Sequence, residues 1–360
     1  MRIQRRLTKT VSVGKIKLGG GNPISVQSMT NKPAHDIDAV VDQIMELSDA
    51  GCDIVRMAIP DIEAAVVFRA AYERGVTVPL VADIHFDYKI ALEAVKYGAD
   101  KIRINPGNIG EEWKVREVAN ACAAAGIPIR IGVNGGSLDK QLLQKYGAPT
   151  AEALAESALN EAQRLEDCGF SDIVISIKSS NVAEMTEAAR IVSAQSDYPL
   201  HLGVTEAGDE FSGLIKNSAG IGALLLAGIG DTIRVSLTAD PIKEVLAGHE
   251  LLRALGLSSR GGIDVISCPT CGRTRIDLIG LGKRYREASK DIDTHGRDLK
   301  VAIMGCAVNG PGEAREADFG IAGGDGYAVL FRHGKTVCRV EEDDIINVLM
   351  RETHSALDGE

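Results

Sequence analysis

Four residues in the last third of the sequence have the types and spacing of a metal centre. Cys268 and Cys271 are separated by two residues, and Cys306 follows further along the chain in a turn that begins with glycine. Two cysteines at this spacing can direct both sulfur atoms at one metal, and a third cysteine can complete the set. Glu313 lies close behind the third thiol and adds a carboxylate.

Spacing alone leaves two interpretations of this thiol set open. Three thiolates with a carboxylate, in place of four thiolates, suggest an iron–sulfur centre in which one iron is held less permanently and can bind a substrate oxygen. A structural zinc site would normally use a fourth Cys or His at similar spacing, and His295 and Cys338 are the available candidates. The local spacing favours iron–sulfur over zinc.

The size and composition of the chain indicate a globular protein of two domains. It has 360 residues, more than one hydrophobic core usually serves, and 45% of them are apolar. No apolar run approaches the ~20 residues that a membrane-spanning helix needs, and the basic amino terminus is not followed by the apolar segment of a secretory signal. We therefore expect no membrane association.

Charge and cysteine content narrow the class of protein further. The net charge is −10, from 40 basic and 50 acidic residues, which disfavours nucleic acid as a partner because phosphate binding needs a basic surface. The seven cysteines are an odd number scattered over a long chain, unlike the set of a disulfide-stapled domain. This cysteine usage predicts a protein of the reducing cytoplasm.

Short β-branched runs alternate with amphipathic helical segments through the first two-thirds of the chain. Residues 5–18 predict a hairpin that plugs or flanks the strands after it. The eight predicted strands are 24–29, 54–58, 80–85, 101–106, 129–134, 173–178, 200–205 and 232–237. The predicted helices are 38–50, 61–75, 87–99, 111–126, 150–168, 181–195, 212–227 and 241–256. This count predicts an α/β fold with a TIM-type (β/α)8 barrel, whereas a doubly wound sheet more often has five or six strands.

Four of the eight predicted strands carry a basic residue near the same end: Arg56, Arg103, Arg130 and Lys178. Active sites of such barrels lie at the carboxyl ends of the strands, so these cations should meet at one mouth. Any single arginine could instead pair with an acid, but a buried ring of positive charge is unfavourable unless an anion neutralises it. The ring therefore predicts a multiply anionic ligand, and a diphosphate fits best because guanidinium groups bind phosphate bidentately.

Further polar residues follow the same strand ends. Backbone amides in the glycine-containing loops at Asn105 and Asn134 could add donors to a phosphate. Asp83 and His85 could form a general acid/base pair, or a hydrogen-bonded pair that orients an arginine, and the second interpretation is favoured. Glu206 faces the same mouth and is a candidate for proton transfer.

A change of pattern and charge predicts a linker between two domains. We predict a substrate-binding TIM-barrel domain over 1–256, a linker over 257–262 and a domain built around the thiolates over 263–360. The second domain should contain a strand entering Cys268, a helix over about 276–290, a strand over 300–304, a hairpin over 327–340 and a helix over 342–354. Cys338, on its last strand, is interpreted as a packing residue.

Six motifs spread along the chain are shared with one known family. They are Val26-Gln27-Ser28-Met29-Thr30, Val81-Ala82-Asp83-Ile84-His85, Arg103-Ile104-Asn105-Pro106-Gly107-Asn108, His201-Leu202-Gly203-Val204-Thr205-Glu206-Ala207-Gly208, Cys268-Pro269-Thr270-Cys271 and Asn309-Gly310-Pro311-Gly312-Glu313. Joined to this barrel, they resemble the 4-hydroxy-3-methylbut-2-enyl diphosphate synthases of the methylerythritol phosphate route to isoprenoids. The resemblance runs essentially end to end, and the length is that of the two-domain bacterial form.

The resemblance implies a cofactor and an assembly. The cofactor would be a [4Fe–4S] cluster whose ligands fall on Cys268, Cys271, Cys306 and Glu313. The assembly would be a homodimer in which the barrel of one subunit meets the cluster domain of the other. A short linker within one chain need not bring the cluster to the barrel mouth, whereas dimerisation can.

The resemblance also implies a reaction. The cyclic diphosphate of 2-C-methyl-D-erythritol would be opened and would lose a hydroxyl, with two electrons arriving singly from flavodoxin or ferredoxin. Glu206 matches an active-site carboxylate of the family, and Arg260 matches a basic position in its linker. The residues alone also allow a barrel lyase or transferase that acts on a phosphorylated substrate, with the thiolates holding structural zinc.

Overall fold

The computed structural model describes residues 3–306 and 314–358. The chain divides into two units, Met1–Ser258 and Ser259–Glu360. The predicted metal ligand Glu313 lies outside the described residues. Within the described ranges, none of the helices combines the length and the apolar composition that crossing a membrane requires.

The first unit opens with a hairpin of β1 (Val11–Val13) and β2 (Ile16–Leu18), followed by eight parallel strands. These are β3 (Ser25–Met29), β4 (Ile54–Ala58), β5 (Leu80–Asp83), β6 (Lys101–Ile104), β7 (Ile129–Asn134), β8 (Ile173–Lys178), β9 (His201–Leu202) and β10 (Thr232–Ile233). They pair in the order β8–β7–β6–β5–β4–β3–β10–β9, and a parallel bridge between Ile175 and Leu200 joins the two ends. The predicted barrel is confirmed, and an open doubly wound sheet is excluded because the strands close on themselves.

Helices surround the barrel and follow the strands in turn. They are α1 (Ile37–Asp49), α2 (Val67–Glu73), α3 (Tyr88–Lys96), α4 (Pro106–Ile109), α5 (Glu112–Ala125), α6 (Lys140–Tyr146), α7 (Ala151–Asp167), α8 (Val182–Gln195), α9 (Glu210–Leu226) and α10 (Pro241–Ala254). Most begin at an Asp, Asn or Thr whose side-chain oxygen accepts a backbone N–H of the first turn, as Asp36, Thr150 and Asn181 do. The predicted helices are present, whereas α4 and α6 were not predicted.

The amino-terminal hairpin closes one end of the barrel. Val11, Val13 and Leu18 pack against Ile54 and Val174, which lie in the first residues of their strands. The hairpin therefore plugs the amino-terminal end with an apolar layer. The opposite end, where the strands finish, is left to the polar residues.

In its described part, the second unit consists of a five-stranded mixed sheet and two helices. Its elements are β11 (Gly262–Ser267), α11 (Leu278–Ser289), β12 (Asp298–Met304), β13 (Phe319–Gly324), β14 (Tyr327–Arg332), β15 (Lys335–Glu341) and α12 (Ile345–Asp358), and the strands pair in sequence order. Apolar residues of α11 and α12, including Leu281, Tyr285 and Leu349, cover one face of the sheet. The sequence did not predict β13, and β11 begins at Gly262, which had been placed at the end of the linker.

Candidate active site

Five cations lie at different levels of the barrel. Arg103 and Lys178 are near the carboxyl ends of their strands, and Arg234 follows one. Arg56 is at the middle of its strand and Arg130 is the second residue of its strand, so the prediction of one common strand end is wrong for Arg130. Arg56 lies on β4, Arg103 on β6, Arg130 on β7 and Lys178 on β8, and Arg234 follows β10. Side chains alternate between the two faces of a strand, and the apolar neighbours of these cations pack outward in the core beneath the helices. The barrel therefore brings the four predicted cations together and adds Arg234 to them.

Asp83 is the carboxylate that holds two of these arginines. Arg103 Nη1 donates to Asp83 Oδ1 at 2.9 Å, and Arg56 Nε lies 3.6 Å from Oδ2. Burial alone would raise the pKa of Asp83, but Arg56 and Arg103 outweigh it and hold that pKa well below its usual range. His85 Nε2 is 3.8 Å from Oδ2 and its side chain is half-exposed. Asp83 therefore stays ionised and orients arginines, so a role as a general acid at neutral pH is disfavoured.

Gly132 makes room for the guanidinium of Arg103. A Cβ atom at Gly132 would lie 2.4 Å from Arg103 Nε and 2.5 Å from Nη2, far inside van der Waals contact. Arg103 on β6 lies opposite Arg130 on β7 in the strand pairing. The packing of Arg103 against Gly132 therefore also fixes the separation between these two cations. The absence of a side chain at Gly132 is therefore needed for the position that the Arg103 guanidinium takes in the mouth.

Arg130 and Lys178 have no hydrogen-bond or ion-pair partner among the described residues. Arg130 is fully buried, and its Nε, Nη1 and Nη2 atoms find no hydrogen-bond acceptor there. Burial, and then the charges of Arg56 and Arg103, lower the pKa of Arg130 well below its ordinary value. Lys178 is partly exposed at the end of β8. A buried cation without a counterion is costly, so this geometry favours an anionic ligand.

Two further residues that the sequence did not single out support the arginines. Glu244 of α10 is buried and takes Arg234 bidentately, with Nε–Oε2 at 3.0 Å and Nη2–Oε1 at 3.1 Å. Its Oε2 also accepts from Ser28 Oγ at 2.8 Å. The Met29 sulfur lies 3.0 Å from Arg56 Nη2 and 3.8 Å from Arg234 Nη1, between the two guanidinium groups. Inward alternation along β3 could have identified Met29, but nothing local marks Glu244.

Polar groups continue deeper into the barrel. Gln27, Lys101 and His201 are almost completely buried, and within the described ranges Gln27 Oε1 and Nε2, Lys101 Nζ and His201 Nε2 make no hydrogen bond. His201 Nδ1 lies 3.4 Å from Thr232 Oγ1. Burial, followed by the charge of Arg130, lowers the pKa of both Lys101 and His201 well below their ordinary values. Burial therefore disfavours the charged form of both side chains beneath the mouth.

The remaining predicted substrate residues occupy different settings. Asn105 is buried, and its Oδ1 accepts from the Gly107 N–H at 3.1 Å, so it caps α4. Asn134 ends β7 beside Lys178 in register. Glu206 is exposed and has a backbone φ of 51°, a left-handed conformation that is uncommon for a residue with a side chain. Arg260 is exposed and belongs to the second unit.

The thiols lie at one edge of the second unit. Cys268 directly follows β11 and Cys306 comes two residues after β12, and these strands are parallel neighbours. The Gly305 N–H donates to Cys268 Sγ at 3.3 Å, which ties the two strand ends together. Cys271 is exposed, and hydrogen bonds from Arg273 lower the pKa of its thiol. All three cysteines are free thiols.

The three thiols are compatible with a thiolate-bound iron–sulfur group, and the fourth predicted ligand, Glu313, lies outside the described residues. No three His, Cys, Asp or Glu side chains within residues 3–306 and 314–358 are grouped closely enough to hold a metal ion. Cys338 is exposed on β15, so its predicted packing role is wrong. Three strand spacings of ~4.8 Å separate β15 from β12, so Cys338 is also poorly placed as a fourth ligand.

Comparison with known proteins identifies the family of this chain. Residues 8–249 match the GcpE TIM-barrel domain, and residues 264–355 match the GcpE protein C-terminal domain. The chain belongs to the GcpE family. The two matched regions of this GcpE protein correspond to the barrel and to the sheet that carries the thiols.

Relatives of this GcpE protein are similar over almost their whole length. The 4-hydroxy-3-methylbut-2-en-1-yl diphosphate synthase (flavodoxin) of Caldanaerobacter subterraneus subsp. tengcongensis is 54% identical, covering 97% of each chain. A protein of the same name from Clostridium perfringens is 53% identical, covering 97% of this chain and 99% of the relative.

Solved structures resemble the barrel of the GcpE protein at low identity. Type I 3-dehydroquinate dehydratase from Clostridium difficile aligns with a TM-score of 0.51 and 17% identity over 70% of this chain and 98% of that one. Dihydropteroate synthase from Stenotrophomonas maltophilia aligns with a TM-score of 0.50 and 16% identity, over 69% of this chain and 98% of that one. These likenesses show the barrel fold alone.

Proposed function

We propose that this chain catalyses the reductive ring opening and dehydroxylation of 2-C-methyl-D-erythritol 2,4-cyclodiphosphate to 4-hydroxy-3-methylbut-2-enyl diphosphate. It is then an oxidoreductase of isoprenoid biosynthesis. Its electron donor is flavodoxin, the carrier that the names of its relatives include. The structural observation that carries the proposal is the buried Arg130, whose guanidinium atoms lack a partner in the described part of the chain. A diphosphate supplies the missing counterion.

The proposed binding site uses the cations in two ways. Arg130 and Lys178 have no carboxylate partner in the described ranges, so they meet the diphosphate directly. Arg56 and Arg103 are held by Asp83, which fixes their direction while leaving other N–H groups for phosphate oxygens. Donors fixed in advance stabilise the negative charge that develops on the diphosphate as the ring C–O bond breaks. Asn105, Asn134 and His85 are proposed to border the same ligand.

Cys268, Cys271 and Cys306 are proposed to hold a [4Fe–4S] cluster, with Glu313 as the fourth ligand. The free thiols at the ends of β11 and β12, and the lowered thiol pKa of Cys271, support this assignment. When bound, such a cluster supplies single electrons and a Lewis-acidic iron. The substrate gains two electrons in total, and the lost hydroxyl leaves as water.

Glu206 and Arg260 are proposed to act on the substrate, although they belong to different units. The exposed Glu206 carboxylate is available to transfer a proton, and its left-handed backbone is the kind of strain found at functional sites. The assembly proposed for this reaction is a homodimer that pairs the barrel of one subunit with the thiol-bearing unit of the other. The free state of all seven cysteines supports a cytoplasmic location.

The test is metal, sulfide and turnover analysis of protein purified without oxygen. We expect about four irons and four sulfides per chain, and conversion of the cyclic diphosphate when reduced flavodoxin is supplied. One zinc without sulfide, and no turnover, would instead indicate the barrel lyase or transferase with structural zinc. The GcpE relatives support the reductive synthase and give no support to that alternative.

A further inference from the structure

Helix α11 carries positive charge in a protein whose net charge is negative. Residues 271–290, which include this helix and the segment before it, contain six basic and two acidic residues, whereas the whole chain has a net charge of −10. The basic residues are Arg273, Arg275, Lys283, Arg284, Arg286 and Lys290. The segment that leads into α12 has the opposite sign, with acidic residues at all four positions of 341–344. The charge of α11 is therefore a local reversal of the sign of the protein.

The solvent-facing side of α11 combines these charges with an apolar residue. Ile279, Lys283, Arg286 and Lys290 recur at intervals of three or four residues and are exposed, so they share one side of the helix, opposite the residues that pack on the sheet. We call these four residues the α11 face. Ile279 is 61% exposed. The side chains of Lys283 and Arg286 form no ion pair or hydrogen bond with any residue that the structure describes, so their charges are available to a partner.

The start of α11 is attached to the turn that carries a thiol. The Arg275 N–H donates to the Gly305 carbonyl at 2.9 Å, and the Gly305 N–H donates to Cys268 Sγ at 3.3 Å. A Cβ atom at Gly305 would lie 3.4 Å from Leu278 Cδ2, so the first turn of α11 packs directly against this turn. The α11 face therefore begins beside the thiols, on a helix that covers the strands ending there.

We propose that the α11 face is the docking surface for an acidic side of flavodoxin, the electron carrier. The inference deepens the proposed function and rests on it, because a docked carrier is useful only if the thiols hold the cluster that receives its electrons. Complexes between electron-transfer proteins are small and transient, and complementary charge steers them into one orientation. Unpaired cations around one exposed apolar contact, on a helix about 18 Å long, have the character of such a surface.

Two observations favour this occupant over others. The thiol edge itself is assigned to the barrel of the second subunit in the proposed homodimer, so a carrier needs a face beside that edge, as α11 provides. A nucleic acid would need a more extensive basic surface than one helix of a protein with a net charge of −10.

Charge reversal on the α11 face tests the proposal by direct binding. Lys283→Glu and Arg286→Glu are made singly and together, and oxidised flavodoxin is titrated calorimetrically into the cluster-loaded protein without oxygen. We expect the Kd in low salt to rise at least about tenfold in the double variant. The difference from the wild-type protein should shrink at about 1 M salt, where the Debye length is about 3 Å. Ile279→Ala should raise the Kd roughly threefold at both salt concentrations, because it removes an apolar contact.

Turnover separates docking from chemistry. In the double variant the KM for reduced flavodoxin should rise together with the Kd. Turnover with reduced methyl viologen, a small electron donor that needs no docking surface, should stay unchanged. Arg351→Glu, on the exposed side of α12, is the matched single reversal and should leave both the Kd and the KM unchanged.

Three results would overturn the proposal. The first is an unchanged Kd in the double variant. The second is an equal loss of affinity in Arg351→Glu, which would show an effect of net charge alone. The third is a double variant that binds flavodoxin normally but changes its oligomeric state in sedimentation, which would assign the α11 face to a second copy of the chain. Failure of the proposed function is distinguishable, because the wild-type protein would then convert the cyclic diphosphate with neither electron donor.

Discussion

The barrel mouth and the thiol edge use opposite ways of placing their reactive groups. In the mouth, Arg56 and Arg103 lie on strands that both pair with β5 and share Asp83, so their directions are set by the fold. At the thiol edge, Cys271 is exposed, and the described donors form no metal-sized group. We infer that the mouth is organised before its ligand arrives, whereas the thiols belong to the second unit of the chain. Changes in the two regions should therefore have separable consequences.

The largest effect is expected from Cys306→Ser. A serine oxygen is a poor substitute for a thiolate ligand of iron, so the variant should lose its iron and sulfide and nearly all turnover. Binding of the cyclic diphosphate to the barrel should persist, because no charged residue of the mouth has changed. Iron analysis, turnover and calorimetric titration on one preparation check the three statements.

The matched control for that variant is Cys338→Ser on β15. It removes an exposed thiol three strands away from β12 and should keep both iron and activity. Full iron content in Cys306→Ser would contradict the ligand assignment. Loss of diphosphate binding in Cys306→Ser would contradict the independence of the two regions.

Arg130→Met tests the mouth in the complementary way. We expect the Kd for the cyclic diphosphate to rise by roughly 30-fold or more, about 2 kcal/mol, because a fully buried counterion is lost. Iron content should stay constant. Arg116→Gln, on the exposed surface of α5, is the control and should leave the Kd unchanged. An Arg130→Met protein with wild-type affinity would place the diphosphate elsewhere.

Gly132→Ala asks whether direction matters as well as charge. The added Cβ would meet Arg103 Nε at 2.4 Å, so the guanidinium must leave its present contact with Asp83. We expect the Kd to rise about tenfold with every charge retained, alongside the loss of stability of ~1–3 kcal/mol that overpacking causes. Gly222→Ala is the control, since its nearest neighbour, Leu251 Cδ1, is 3.8 Å away. Equal affinity in both variants would mean that the direction of Arg103 is not important.

The sequence predicted the barrel because its strands are buried and β-branched and alternate with strongly periodic helices. The strand limits of β4, β7 and β8 agree with the prediction to the residue, while β9 and β10 are only two residues long. Long-range partners could not be predicted, since pairings such as Arg234 with Glu244 depend on where a helix packs. Gly-rich β13 was missed because three glycines and an alanine leave only Phe319 and Ile321 as side chains that favour a strand.

Lys101→Met is the smallest change and concerns the layer beneath the mouth. Burial, and then the charges of Arg130 and Arg56, hold the folded-state pKa of Lys101 below the unfolded value near 10.5. The unfolded state then binds more protons below that pH, which disfavours folding until the pH rises to the unfolded value. Methionine removes this penalty, so the free energy of unfolding should rise by about 1–3 kcal/mol at pH 7 and by less at pH 10.5.

The free energy of unfolding is measured by urea titration. The signal is the fluorescence of Trp113, which is the single tryptophan of the chain and belongs to the barrel unit. Lys96→Met, at an exposed lysine, is the control and should change the free energy of unfolding by no more than ~0.5 kcal/mol. A Lys101→Met protein less stable than wild type would show that the amine has a bonded partner in the folded state, such as a trapped water or anion.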